Sequence, residues 1–292
     1  MKTPAMHASP IFKLAYSSCP NDTFIFKAIA KKLIDLKGFR FDIIVDDVEA
    51  LNQQAVQRCH DITKLSFAAL GNLLDRYALL RCGSALGRGC GPLVVSRPGT
   101  NLADSHTDRQ TVAVPGMGTT ACHLFRFFMA DQFPDIDFTL LPMSFEKIMP
   151  SVLDRTADAG IIIHEGRFIY QSMGLEMKAD LGQWWETRTE LPIPLGCIAV
   201  RRDMDTDTAC EIQSLIQNSV AHAFANPDMG ADYITRYAQE MDPSVIRQHI
   251  DLYVNDFSKD LGESGEQAVT AFFSYARKTG VIPETDLSLF AC

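Results

Sequence analysis

The 292-residue chain has no apolar run approaching the ~20 residues that a bilayer-spanning helix needs, so membrane insertion is not expected. It has no Lys/Arg-rich block either. The formal net charge of −9 is the wrong sign for a general nucleic-acid binder, which displaces counterions with a basic surface. Met1 to Pro10 holds one lysine and no apolar stretch, so no secretory signal is expected there and a cytoplasmic location follows. The eight cysteines include no C-x-x-C pair. That removes the tight zinc spacings and, in a reducing compartment, a disulfide framework. Most are expected to be small buried hydrophobes. What remains is ordinary: 47% hydrophobic and 22% charged residues, enough chain for one elaborate domain or two of common size.

Strand-like and helix-like segments alternate through the first two-thirds. Phe12–Tyr16, Phe39–Val45, Asp61–Leu65, Tyr77–Cys82 and Pro92–Ser96 read as strands of a first unit. Asn21 or Asp22, and Asp46 or Asp47, are expected to cap its helices. The polar stretch Pro98–Gln110 reads as a boundary. A second unit follows with strands at Thr111–Val114, Asp137–Leu141 and Ala159–Ile163, and helices from Thr119 to Phe133 and Phe145 to Arg155. Leu195–Val200 is one more strand, and the last ninety or so residues turn helical. This order predicts an α/β chain of two lobes, the second inserted into the first. Residues 1–98 and 193–292 would form the large lobe and 99–192 the small one. The chain would cross near Ser96–Thr100 and Leu191–Leu195, with a ligand cleft between the lobes and the helical tail closing back on the first.

Gly160–Ile161–Ile162–Ile163–His164–Glu165 places an imidazole where a strand buried on both faces runs out. In open α/β sheets such strand ends face the ligand crevice, which makes His164 the first candidate for chemistry. The plainer alternative is a histidine that satisfies a strand-end hydrogen bond. Because His164–Glu165 lacks the second histidine of H-E-x-x-H, a zinc protease is disfavoured and no metal is expected.

Two further places combine strand, short loop and helix start with hydroxyl side chains: Thr63–Lys64–Leu65–Ser66, and Gly116–Met117–Gly118–Thr119–Thr120–Ala121. Helix starts offer unpaired N–H groups to an anion, and Ser66 and Thr120 add donors. Taken singly, each reads as simple capping by Ser66 or Thr119. Facing each other from two lobes, they suit a small carboxylate ligand. The loop Gly83–Gly91 has neither the Gly-Lys-Ser/Thr ending of a phosphate loop nor G-x-G-x-x-G spacing, and reads as a tight connection. Cys19 is expected to be a semi-buried thiol rather than a nucleophile. Trp184 and Trp185 either line an apolar pocket or plug a core.

Read together, Ser18–Cys19–Pro20–Asn21–Asp22–Thr23–Phe24, Asp47–Val48–Glu49 with Leu51–Asn52, and Thr63–Lys64–Leu65–Ser66 form an ordered series. It continues through Ala85–Leu86–Gly87–Arg88–Gly89, Gly91–Pro92–Leu93–Val94–Val95, Thr119–Thr120–Ala121, Ile162–Ile163–His164–Glu165 and Leu181–Gly182–Gln183–Trp184–Trp185–Glu186. From about Tyr16 to Gly265 the chain resembles the MqnD family, the 1,4-dihydroxy-6-naphthoate synthases of the futalosine route to menaquinone. It departs at Ser17–Ser18, where the family usually has Ser-Pro, and at Thr189–Glu190, where Thr-Gly is common. The resemblance implies a two-lobed fold like periplasmic binding proteins (type 2). It also implies a carbon–carbon lyase without metal or organic cofactor, acting on cyclic dehypoxanthine futalosine. Carried over by motif, His164 is the general base, Lys64, Leu65, Ser66, Thr120 and Ala121 hold the substrate, and Asn52 is a further polar contact.

Two rivals share that fold. A solute-binding protein capturing an organic acid would be expected to carry a secretory signal. The sensing half of a transcription regulator would need a helix-turn-helix of about sixty residues ahead of it, yet the first strand begins by Phe12.

Overall fold

Ile11–Ser17 starts exposed and ends buried, and that gradient marks a strand entering a core from its edge. A computed structural model describes residues 10–102, 110–238 and 242–292. The first unit runs β1 (Ile11–Ser17), α1 (Pro20–Ala30), β2 (Arg40–Asp46), α2 (Val48–Val56), β3 (Ile62–Ser66), α3 (Phe67–Gly71), β4 (Tyr77–Leu79) and β5 (Ala85–Gly87). The second runs β6 (Leu93–Ser96), β7 (Gln110–Val114), α4 (Thr120–Gln132), β8 (Phe138–Pro142), α5 (Phe145–Leu153), β9 (Ala159–Ile162), α6 (Gly166–Ile169), β10 (Glu176–Asp180) and α7 (Leu181–Thr189). The chain then returns through β11 (Ile193–Arg201). It ends in α8 (Thr206–Ala225), α9 (Ala231–Tyr237), α10 (Pro243–Tyr253), α11 (Asp256–Lys259) and α12 (Gly262–Lys278).

Two sheets result. The first has the order β2-β1-β3-β11-β4, with β5 also on β11; the second has the order β10-β6-β9-β7-β8. In the first, β1 is parallel to β2 and β3, whereas β11 runs antiparallel to β3, β4 and β5. This is the expected α/β architecture of two lobes. Among the described residues no helix is long and apolar enough to cross a membrane.

Three expectations are corrected. Leu93–Ser96 belongs to the second sheet, paired with β9 and β10, so the first crossing falls at 88–92 rather than at Ser96–Thr100. Flanked by β9 on one side and β10 on the other, it lies inside the second sheet, with all four residues buried. The polar stretch beyond it, of which 103–109 lie outside the described residues, connects β6 to β7 within the second lobe. Helix α1 is capped by Cys19 with Pro20 at its first position, the place where a fixed φ and a missing N–H suit a helix start. Asn21 and Asp22 then lie inside the first turn. Finally, α12 bridges both units instead of closing on the first alone. Phe273 meets Phe67 at 6.3 Å, and Phe272 meets Phe127 at 6.0 Å and Trp185 at 5.9 Å.

The two crossing segments are tied to each other. Arg88 Nη2 donates to Glu190 O at 2.7 Å, and the Gly89 N–H donates to Glu186 Oε1 at 2.7 Å. Gly91 lies so close to Gly182 that a Cβ on it would stand 2.3 Å from the Gly182 backbone. Glu190, the departure noted above, caps α7 at φ +60, a left-handed position where glycine is the usual residue.

Candidate active site

The expected cleft exists and spans about 620 Å³ of space, part of it open to solvent. Its walls combine Ser17, Asn21, Asp22, Lys64, Ser66 and Tyr253 of the first unit and tail with Thr119, Thr120, Ala121, Ile163 and His164 of the second.

His164 lies two residues past the end of β9 and takes φ +54, an uncommon conformation for a residue other than glycine. That turn aims its ring into the cleft. The ring is held from three sides: the Phe145 edge at 4.9 Å, a nearly parallel His249 ring at 5.9 Å, and Cys19 Sγ at 3.4 Å from Nδ1. Burial lowers the imidazole pKa below its ordinary value, while Glu165, Asp47 and Asp22 pull it upward and Lys64 pushes it down. Burial, reinforced by Glu165 and Asp22, pushes the Cys19 thiol well up. The contact therefore joins a neutral ring to a neutral thiol, as expected for a semi-buried cysteine.

Strand alternation sorts the Lys64–Leu65–Ser66 motif. Lys64 and Ser66 line the cleft, and the fully buried Leu65 side chain packs in the hydrophobic core. Lys64 Nζ lies 2.6 Å from Asp22 Oδ1, and both side chains are almost fully buried. Asp22 also accepts from Ser17 Oγ at 2.6 Å and Asn21 Nδ2 at 2.8 Å. An ammonium has three N–H donors. With Asp22 and the Gly83 carbonyl at 3.5 Å as its partners, Lys64 keeps one for a cleft ligand.

Asn52 sits behind the wall rather than in it. Its Oδ1 accepts from the Ser66 N–H at 3.0 Å and its Nδ2 donates to Ser66 Oγ at 3.1 Å, which fixes the serine. The Thr120 hydroxyl is already committed across the lobes: it donates to Leu195 O at 2.7 Å and accepts from the Ala68 N–H at 3.2 Å. The donors left at that helix start are the Thr120 and Ala121 amides, which have no intrahelical carbonyl. Thr119 caps α4 by accepting from the Cys122 N–H at 3.2 Å.

Neither tryptophan lines the cleft. Trp185 is buried with its Nε1 donating to Pro192 O at 3.1 Å, and Trp184 donates to Asp131 at 3.1 Å. Trp185 plugs the core, and the partly buried Trp184 packs at its margin. Among the described residues, no three His, Cys, Asp or Glu side chains converge to hold a metal. His249 and Tyr253, both on α10, were not singled out by the sequence, because nothing but the fold brings that helix beside His164.

The sequence profile of the menaquinone biosynthesis family matches residues 12–278. The chain belongs to the menaquinone biosynthesis family. Within it, the 1,4-dihydroxy-6-naphthoate synthase of Streptomyces coelicolor is 43% identical over 271 residues, covering 93% of this chain and 94% of that one. The enzyme of the same name from Thermus thermophilus is 40% identical over 278 residues, covering 95% and 98%. Among solved structures, a protein from Archaeoglobus fulgidus superimposes with TM-score 0.85 at 31% identity, over 94% of this chain and all of that one. The alkanesulfonate-binding protein of Xanthomonas axonopodis pv. citri gives TM-score 0.70 at 11% identity, over 95% and 96%. That likeness concerns the fold, and it gives this family member a periplasmic-binding-protein-like architecture.

Proposed function

We propose that the chain is a 1,4-dihydroxy-6-naphthoate synthase of menaquinone biosynthesis, acting in the cytoplasm. On this reading it is a carbon–carbon lyase that converts cyclic dehypoxanthine futalosine to 1,4-dihydroxy-6-naphthoate without metal or organic cofactor. The relatives' shared name over nearly their whole length supports the reaction. The observation that carries the mechanism is His164: a ring kept neutral by burial, lining the cleft opposite Lys64 and Ser66.

A base must be unprotonated and within reach of the proton it takes. His164 meets the first condition near neutral pH, and its clamped ring meets the second once a substrate fills the cleft. The substrate carboxylate would sit against the free Lys64 N–H, the Ser66 hydroxyl and the Thr120 and Ala121 amides. Proton removal by His164 would start carbon–carbon cleavage, which aromatisation of the new ring drives. The apposed lobes exclude water from the intermediate.

The test is direct. Purified protein incubated with cyclic dehypoxanthine futalosine should release the naphthoate, identified by mass spectrometry. Binding without conversion would instead make the chain a carrier of organic acids.

A further inference from the structure

Tyr253 is the last residue of α10 and stands in the cleft wall only 7% exposed. Its ring packs 4.7 Å from His249, which in turn stacks on His164, so the three rings form one continuous wall. The phenolic hydroxyl has no hydrogen-bond partner among the described residues. A tyrosine this buried usually finds one; the hydroxyl oxygen is not among the fully enclosed polar atoms, so it keeps access to the cleft whose wall the residue forms. Tyr253 otherwise packs in the core with Leu86 and Cys90, and Glu165 and Arg167 stand near enough to act on it electrostatically without hydrogen-bonding it. The cleft is where a ligand acceptor would meet the hydroxyl.

We infer that the Tyr253 hydroxyl is a substrate-binding donor that hydrogen-bonds the substrate ring oxygen on which charge develops when His164 removes the proton. The inference rests on the naphthoate-synthase reading. The product carries two ring hydroxyls, each the enol form of a ring carbonyl. When His164 takes the proton from the adjacent carbon, the electron pair of the broken C–H bond moves to that carbonyl oxygen. Tyr253 donates a hydrogen bond to the resulting enolate and keeps its own proton. Burial first, then Cys90, raises the phenol pKa above its ordinary value while Arg167 pulls it down, so the hydroxyl remains a donor throughout the working range.

Tyr253→Phe removes the oxygen and leaves the ring. Removing a single donor of this kind should lower kcat on the order of 100-fold. Calorimetric affinity for 1,4-dihydroxy-6-naphthoate should fall about tenfold or more. The melting temperature should hold or rise, because no protein partner is lost. Wild-type kcat and affinity in Tyr253→Phe would overturn the inference. So would a drop in melting temperature of several degrees, which would reveal a structural partner. Naphthoate release by the wild type with unimpaired Tyr253→Phe sinks this inference alone. A wild type that neither converts the futalosine derivative nor binds the naphthoate sinks the functional reading with it.

Discussion

Cys19 Sγ lies 3.4 Å from Nδ1 of His164 and 3.7 Å from Nε2, so the thiol of one lobe rests against the imidazole of the other. With Phe145 and His249 on the remaining sides, the ring has little freedom to turn. His164→Asn should therefore fold normally and keep ligand affinity while losing about 100- to 10,000-fold in kcat, the usual cost of deleting a general base. Steady-state kinetics alongside calorimetry with the naphthoate checks this. Undiminished turnover would remove His164 from the mechanism.

The pH dependence follows from what surrounds that ring. Burial depresses the His164 pKa, so the ring stays neutral until the pH falls below the ordinary histidine value of about 6.5. The acid limb of kcat/KM should thus inflect below 6.5. His249 is also held well below its ordinary value, by burial and then by His164 and Lys64. Both depressions act in one direction on folding: their stabilisation is present above about 6.5 and is lost as pH falls. Glu165 is the largest upward pull on His164, so Glu165→Gln should move the acid limb to still lower pH. A shift to higher pH would contradict that electrostatic assignment.

Alternation of apolar runs and capped helices made both α/β units legible, because a period is a local property. Which sheet a run joins is not local. Leu93–Ser96 reads the same whether it closes the first sheet or is paired on both sides in the second. The edge strand β10 escaped notice because Glu176, Lys178 and Asp180 give it a polar composition, and an edge can afford one. Of the residues that line the cleft, Lys64, Ser66, Thr120, Ala121 and His164 could be named from strand ends and helix starts. The division of labour among them could not. Leu65 faces the core, Asn52 serves Ser66, and the Thr120 hydroxyl joins the lobes, all for reasons set by tertiary neighbours. Tyr253 and His249 arrive on a late helix whose amphipathic pattern carries no hint of chemistry.

The Lys64–Asp22 pair is enclosed at 4% and 0% side-chain exposure, so deleting one partner strands a charge. Lys64→Met should cost about 3–5 kcal/mol of stability through the abandoned carboxylate. The double variant Lys64→Met/Asp22→Asn should recover most of that in urea denaturation while remaining impaired in substrate affinity. Additive losses in the double variant would mean that the two residues do not act as a pair.

Glu49 links the cleft wall to lobe apposition. Its Oε2 accepts from Asn52 Nδ2 at 2.9 Å, and Asn52 holds Ser66. Its Oε1 reaches the Gly118 N–H of the other lobe at 3.4 Å. Gly116 makes room for it: a Cβ there would stand 2.6 Å from the Glu49 carboxylate carbon, and φ is +142. Gly116→Ala thus meets both a clash and backbone strain of about 1–3 kcal/mol. The lobes should open, which small-angle scattering reads as a larger radius of gyration, and KM should rise about tenfold or more. Adding Glu49→Ala removes the clash but not the strain, so the double variant should regain part of the lost affinity. A Gly116→Ala protein with wild-type scattering and KM would show that the lobes close without this contact.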